Sequence, residues 1–360
     1  MNILKSTRLF EQWLARHTNV ISRDLRLKHA KMKSGVFPFL RATYYRWVQL
    51  WPEVCRDESK APRVLAVGDL HIDNFGTWRD VEGRLVWGIN DFDEACPLPY
   101  TNDLVRLAVS AHLASDAGHL PLSKDDICGA ILEGYLENLQ QGGMPLVLEE
   151  QYGWLREIAL TDLRDPVRFW EKMEALPTAR DVPVSAIEAM VHLFPARNLE
   201  YRVARRVAGL GSLGHARYVA LATWHGNWIA REAKALVPSS CYWAADQHGA
   251  AEILYQTIIN RAVRCPDPFV HLQGQWIVRR LSPHCSRIEL DGLEVQGSEM
   301  RLLHAMGRET ANVHLGTRSA VKDILRHASK QRKRWLHEAT QAMLERVLAD
   351  WKTWKKEGYE

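Results

Sequence analysis

Two short stretches concentrate the side chains of this chain that could do chemistry: Gly68-Asp69-Leu70-His71-Ile72-Asp73-Asn74, then Asn90-Asp91-Phe92-Asp93-Glu94. Each sits where an apolar, strand-like run ends. Asp and Asn are common in turns, but a run of them in this order exceeds what turn chemistry needs. A carboxylate at a strand end, an Asn five residues later and a second carboxylate beyond a hairpin suit one task. Asp69 can orient and deprotonate a hydroxyl, while Asn74 and Asp91 hold a divalent cation through oxygen. Hard oxygen donors favour Mg²⁺ over zinc. His71 is expected to support the loop rather than ligate metal. Asp93 is expected to point away from Asp91 along an extended segment.

The second signal is Gly209-Leu210-Gly211-Ser212-Leu213-Gly214. In a dinucleotide-binding fold this G-x-G-x-x-G would open a helix. Here it runs into His215 to Trp224, which has a strand pattern. A glycine loop between two strands can lie over phosphates, as in kinases. No Gly-Lys-Ser/Thr follows, which excludes a P-loop. Such a flap also needs a basic partner downstream, and Arg231 and Lys234 both offer one. Spacing favours Arg231 and chemistry favours Lys234. Glu252 is a possible ion partner for either, weighed against a solvated helical Glu.

The elements that must position these groups follow from periodicity. The first sixty residues read as helical, with Gly35 and Pro38 breaking the basic, aromatic stretch from Lys28 to Trp47. Val64 to Val67 reads as a buried strand. Phe75 to Trp78 and Leu85 to Ile89 read as a hairpin around Asp80-Val81-Glu82-Gly83. A helix follows Asp103, capped by Asn102 or Asp103, with Leu104, Leu107, Ala108 and Ala111 on one face. Helices continue to about Leu199. Tyr201 to Leu281 is strand-rich, interrupted by a helix expected from Ala244 to Val263, and the remainder is helical. Met343, Val347, Trp351 and Trp354 form one buried stripe.

Composition narrows the class. The chain has 360 residues, 46% hydrophobic and 25% charged, which excludes a disordered chain or a collagen-like repeat. No run approaches the ~18 apolar residues of a membrane span. The N-terminal apolar residues are interrupted by Lys5, Arg8, Glu11 and Arg16, unlike a signal peptide, so a cytoplasmic location is expected. Six cysteines lie far apart without a C-x-x-C pair, which argues against a zinc site or a disulfide framework. Residues 318–360 carry eleven Lys/Arg against six Asp/Glu. This surplus reads as a solvated helix face, because nothing base-reading accompanies it to suggest a nucleic-acid partner.

Gly68-Asp69-x-His71-x-x-Asn74 with Asp91-Phe92 resembles the catalytic loop and metal-binding Asp of aminoglycoside and choline kinase-like phosphotransferases. The stretch GDLHIDNFGTWRDVEGRLVWGINDFDEACPLPYTNDLVRLAVS also resembles the bacterial family called domain of unknown function 2252. GLGSLGHARYVAL and REAKALVPSS are similar to that family's later motifs, so the likeness runs from about Arg26 to Gly316. The resemblance implies Asp69 as catalytic base, Asn74 and Asp91 as metal ligands, and Asp103 as a structural support. It implies Gly209, Gly211, Ser212 and Gly214 over the nucleotide. Where that family usually shows Lys-Glu-Ala, this chain has Arg231-Glu232-Ala233, and Lys234 is the candidate substitute.

The glycine loop follows the catalytic loop instead of preceding it, and Leu302 to Leu315 looks like the helix that normally leads into the catalytic loop. The expected fold is therefore α+β, a protein kinase-like two-lobed fold that is circularly permuted. Residues 1–200 would carry the catalytic loop, 201–285 the nucleotide-covering lobe, and 286–360 a helical segment completing the large lobe. The expected activity is Mg²⁺- and ATP-dependent transfer, phosphoryl or nucleotidyl, to an unidentified acceptor, with no membrane partner. A metallophosphoesterase and an inactive nucleotide-binding protein are the alternatives. His314 is expected to pack against the loop.

Overall fold

Among the residues that the computed structural model describes, the strands pair antiparallel. The structure describes residues 1–159, 165–246, 252–283, 285 and 297–358. It is a mixed α+β fold with three sheets among these residues.

The N-terminal quarter opens with four helices: α1 (Ile3–His17), α2 (Ser22–Ser34), α3 (Val36–Ala42) and α4 (Tyr44–Val54). Gly35, fully extended, separates α2 from α3, and Pro38 falls in the first turn of α3, where its missing N–H costs nothing. The expected break is there.

The hairpin of β2 (Phe75–Arg79) and β3 (Leu85–Ile89) lies between β1 (Arg63–Ala66) and β4 (Cys96–Pro99), which pair with each other. Asp80 Oδ1 closes the hairpin turn by accepting from the Glu82 and Arg84 amides at 3.0 and 2.9 Å. Gly83 supplies the positive φ that the turn needs. The following helix, α5 (Tyr100–Asp116), starts earlier than expected. Pro99 precedes it, so Asp103 lies inside the first turn rather than at the cap.

Next come α6 (Lys124–Gln141), β5 (Leu146–Val147), α7 (Gly153–Ala159), α8 (Pro166–Glu174) and α9 (Val184–His192). The two-residue β5 adds to β3 and is too short for a periodicity to reveal.

Residues 201–281 build the largest sheet from β6 (Tyr201–Arg205), β7 (Arg217–Trp224), β8 (Asn227–Ala235), β9 (His271–Gln273) and β10 (Trp276–Leu281), in the order β6-β7-β8-β10-β9. One face packs Ala220, Ala233, Ala235 and Val278 against Ala189 and Met190 of α9. The opposite face packs Val219, Leu221 and Ala230 against Met173 of α8 at one end. Its other end presents Glu232 and Lys234. Of the helix expected from Ala244 to Val263, the described residues hold α11 (Tyr255–Arg261) and only the last residue of α10 (Ser240–Ala244). Residues 252–254 are not helical, and 247–251 lie outside the described residues.

The remainder forms α12 (Glu299–His314), α13 (Val321–Ser329) and α14 (Trp335–Glu357). α12 lies backbone to backbone along α6: a Cβ at Gly134 would meet the His304 carbonyl, and one at Gly307 the Ile131 carbonyl. In α14, Met343, Val347 and Trp354 are buried and Trp351 is half-buried, as the stripe requires. Lys330, Arg332, Lys333 and Arg334 of the basic segment are exposed. No described helix is long and apolar enough to cross a membrane.

Candidate active site

The loop after β1 is shaped by one glycine and one buried carboxylate. Gly68 has φ +83°, and a Cβ there would strike the Glu94 carbonyl and the Tyr44 hydroxyl, so only glycine fits. Asp103, from the first turn of α5, accepts hydrogen bonds from the Val67 and Gly68 amides at 2.7 and 3.0 Å. His314 Nε2 of α12 holds the same carboxylate at 3.0 Å, and its Nδ1 meets the Tyr135 hydroxyl at 2.9 Å. Asp103 and His314 therefore support the loop and do not enter the cleft.

That support presents Asp69. Its Oδ1 accepts both Nε and Nη2 of Arg106, the former at 2.9 Å. Arg106 is itself buried, its guanidinium 4.9 Å from the ring centres of both Tyr44 and Trp47, and it also donates to the Leu40 carbonyl. Asp69 Oδ2 is turned toward the glycine loop, where a Cβ on Gly211 would stand 3.6 Å from it. Burial raises the pKa of Asp69, outweighing the lowering by Arg106 and Arg41. Asn74 Nδ2 donates to the backbone carbonyls of Asp69 and Asp91 at 3.1 and 3.2 Å, tying the two acidic segments together. Its oxygen is thus the atom left to face a cation.

Lys234 projects from β8 into the same acidic centre. Its Nζ lies 3.2 Å from Asp91 Oδ1, and 2.5 and 2.6 Å from the two oxygens of Asp93. Burial, then repulsion from Asp91, pushes Asp93 up to about 6 despite the attraction of Lys234. Asp93 does not point away from Asp91: the chain turns at Asp93–Glu94, and both carboxylates reach Lys234 Nζ. Phe92 takes the other side, its ring edge-on to Tyr255 at 5.7 Å.

Arg231 is not in this centre. Three residues from Lys234 on a strand, it faces oppositely, donating to the Leu193 carbonyl at 3.0 Å and lying 4.4 Å from the Phe269 ring centre. Glu252 is exposed, and the carboxylates that Lys234 meets are Asp91 and Asp93.

The glycine loop, residues 206–216, joins β6 to β7 and rests on the N-terminal helices. Lys28 Nζ donates to the Gly211 carbonyl at 3.0 Å, and the Ile21 amide to that of Gly214 at 2.9 Å. Arg217 Nη2 donates to Ser212 Oγ at 2.8 Å. Gly209, Gly211 and Ser212 line the cleft with Asp69, Asn74, Asp91 and Asp93, whereas Gly214 backs onto Val20 and Leu25. The cleft holds about 70 Å³. A roomier cavity of about 420 Å³ lies beyond the same segment, lined by Asn90, Phe92, Tyr255, Arg264, Arg279 and Arg280.

Residues 20–168 match the family described as an uncharacterized protein conserved in bacteria (DUF2252). That stretch carries Asp69, Asn74, Asp91 and Asp103, and ends before the glycine loop and Lys234, short of the likeness read as far as Gly316. No curated protein and no solved structure matches the chain.

Several groups of the site were given no role of their own by sequence reasoning. Arg106 left a signal, a lone arginine within the apolar run Leu104 to Ala111. Glu232 is buried beneath Arg206, Arg217 and Arg279; burial would raise its pKa, but the three guanidinium groups hold it well below the carboxylate range. Glu94 Oε2 accepts from Ser239, the Ser240 amide and the Ser240 hydroxyl, yet burial pushes it up to about 8. Lys28 and Arg41, from helices distant in sequence, complete the rim.

Proposed function

We propose that the protein is a Mg²⁺- and ATP-dependent phosphotransferase on a kinase-like, two-lobed and circularly permuted frame. One observation carries the reading: Asp69, Asn74, the Asp91–Asp93 pair, Lys234 and the Gly209–Ser212 loop, from distant parts of the chain, converge on one cleft. The glycine loop joins the first two strands of the five-stranded sheet and Lys234 stands on the third, the arrangement protein kinases use to hold phosphates. On this reading residues 201–285 form the nucleotide-covering lobe, and residues 1–200 with 286–360 the catalytic lobe.

The donor set fits a hard divalent cation. Asp91 and Asp93 both meet Lys234, and burial, with repulsion from Asp91 second, raises Asp93. Asp91 and the Asn74 oxygen would hold the ion, which when bound neutralises phosphate charge. Lys234 is placed to exchange its carboxylates for phosphate oxygens. Asp69 receives the acceptor's proton at Oδ2, because Oδ1 is locked by Arg106. The 70 Å³ cleft is smaller than a nucleotide, so entry requires the glycine loop to lift from Lys28 and Arg41. A two-metal phosphoesterase is less well supported. The histidines lining the described cleft are His71 and His215, and His215 spends Nδ1 on the Ala235 carbonyl.

The test uses Mg·ATP binding, read as a rise in melting temperature, and release of ADP. Asp91→Ala is expected to lose both. Asp69→Asn is expected to keep binding and to turn over about 10²- to 10⁴-fold more slowly. No thermal shift of the native protein at millimolar Mg·ATP would overturn the reading.

A further inference from the structure

Away from the cleft, one buried cluster has the composition of a metal site. His112 of α5, Cys128 of α6 and His337 of α14 are all buried, and one donor atom from each lies within 4.8 Å of the others. His112 Nε2 stands 3.4 Å from Cys128 Sγ. Nitrogen and sulfur bound to one tetrahedral zinc, at bond lengths of about 2.1 and 2.3 Å, lie about 3.5 Å apart. Thiol and imidazole are already spaced as ligands of one ion.

The protons at His112 point the same way. Its Nε2 is 3.1 Å from the Lys124 carbonyl, while its buried Nδ1 has no hydrogen-bond partner. If Nε2 carries the proton, Nδ1 is a bare lone pair without water or donor. If Nδ1 carries it, that N–H is unsatisfied and the carbonyl faces a lone pair. A cation on Nε2, the nitrogen spaced from Cys128 Sγ as a co-ligand, would take the lone pair that otherwise faces the Lys124 carbonyl and leave the proton on Nδ1. His337 Nδ1 lies at ion-pair distance, 3.0 Å, from Asp125 Oδ1 without hydrogen-bond geometry. Asp125 is exposed and meets exposed Arg334 at the surface, which gives an ion an entry beside the cluster.

We propose that His112, Cys128 and His337 bind one zinc-class divalent cation, with a water as fourth ligand. A thiolate with two imidazoles selects zinc or cobalt over Mg²⁺, so this site differs in kind from the oxygen-lined cleft. As the sulfur–metal bond forms, the Cys128 thiol gives its proton to solvent. The ion ties α14 to α5, and α5 carries Arg106, the holder of Asp69, six residues before His112. Its role is a structural staple behind the cleft.

The full chain, stripped by chelator, is titrated with Co²⁺. The expected result is a thiolate-to-metal charge-transfer band saturating at one equivalent, displaced by Zn²⁺ and absent in Cys128→Ser folded by circular dichroism. His337→Gln should keep the band and weaken Co²⁺ binding roughly tenfold or more. No band in the native protein, a band that survives Cys128→Ser, or unchanged affinity in His337→Gln would each overturn the proposal. Co²⁺ held by Asp91 and Asn74 gives no thiolate band, so the result is independent of the cleft.

Discussion

Two buried charge clusters stand two residues apart on one face of β8, and they are balanced in opposite ways. At Glu232 one carboxylate is surrounded by arginines, with Arg217 Nη1 at 3.0 Å, Arg206 in direct contact and Arg279 at 4.0 Å. At Lys234 one ammonium group lies between two carboxylates. The first cluster makes its acid stronger, while the second leaves Asp93 weakened to about 6. A cluster whose ionised form is favoured by its surroundings ties strands together. On the proposed reading, the two carboxylates at Lys234 instead receive a cation, and the same strand carries a fastening and a receptor.

The largest effect expected from breaking this contrast is at the fastening. Glu232→Ala leaves Arg206, Arg217 and Arg279 facing one another in a buried site, and should cost about 3–5 kcal/mol in urea unfolding. Because the folded-state pKa of Glu232 is lowered, its contribution is present above the ordinary carboxylate range and is lost as pH falls below it. The penalty of the substitution should therefore shrink in acid. A loss below about 1 kcal/mol, the size of an exposed ion pair, would show that the cluster is not what holds the strands.

Next in size is the loss at the receptor. Lys234→Met should abolish Mg·ATP-dependent turnover, whereas Arg231→Met, on the opposite face, should keep turnover and shift stability by about 1 kcal/mol. Equal losses of turnover in the two variants would contradict the division between the faces of β8.

The smallest effect concerns Asp93. Its folded-state pKa is raised, so its contribution to stability is present below the unfolded value and is lost as pH rises through about 6. Asp93→Asn has no such loss. Its melting temperature relative to the native protein should rise between pH 5 and pH 7.5, while Mg·ATP binding weakens. A difference that does not change with pH would mean that burial and the neighbouring Asp91 do not raise Asp93 in the folded protein.

Much of this arrangement was readable in the chain, and the unread parts have specific reasons. The β2–β3 hairpin and the break at Gly35 follow from local rules of turn chemistry and alternation, and they stand where those rules put them. The choice between Arg231 and Lys234 needed the phase of β8 relative to the cleft. Spacing fixes that the two face opposite ways but not which of them faces in. The misplacement of Asp93 came from reading the segment as extended, where the chain turns at Asp93–Glu94. Arg106 was overlooked because an arginine inside an apolar helix face is read as a flaw in the stripe until its carboxylate is seen. The helix expected across 244–263 failed because residues 252–254 carry a helical pattern without helical backbone. The cysteine spacing argued against zinc because it tests only for paired cysteines. His112, Cys128 and His337 lie on three helices and share no motif.

The bond between Asp103 and His314 also sets an order of events in the making of the protein. The two residues are separated by 211 positions in the chain. At about 5–20 residues per second on the ribosome, the histidine is synthesised about 10–40 s after the aspartate that it holds. During that interval the backbone around Asp69 lacks its support from α12, whatever else has folded. Asp69 and its first supports, Arg106 and Asp103, therefore emerge well before the helix whose histidine fixes Asp103. That fastening is among the last the loop acquires.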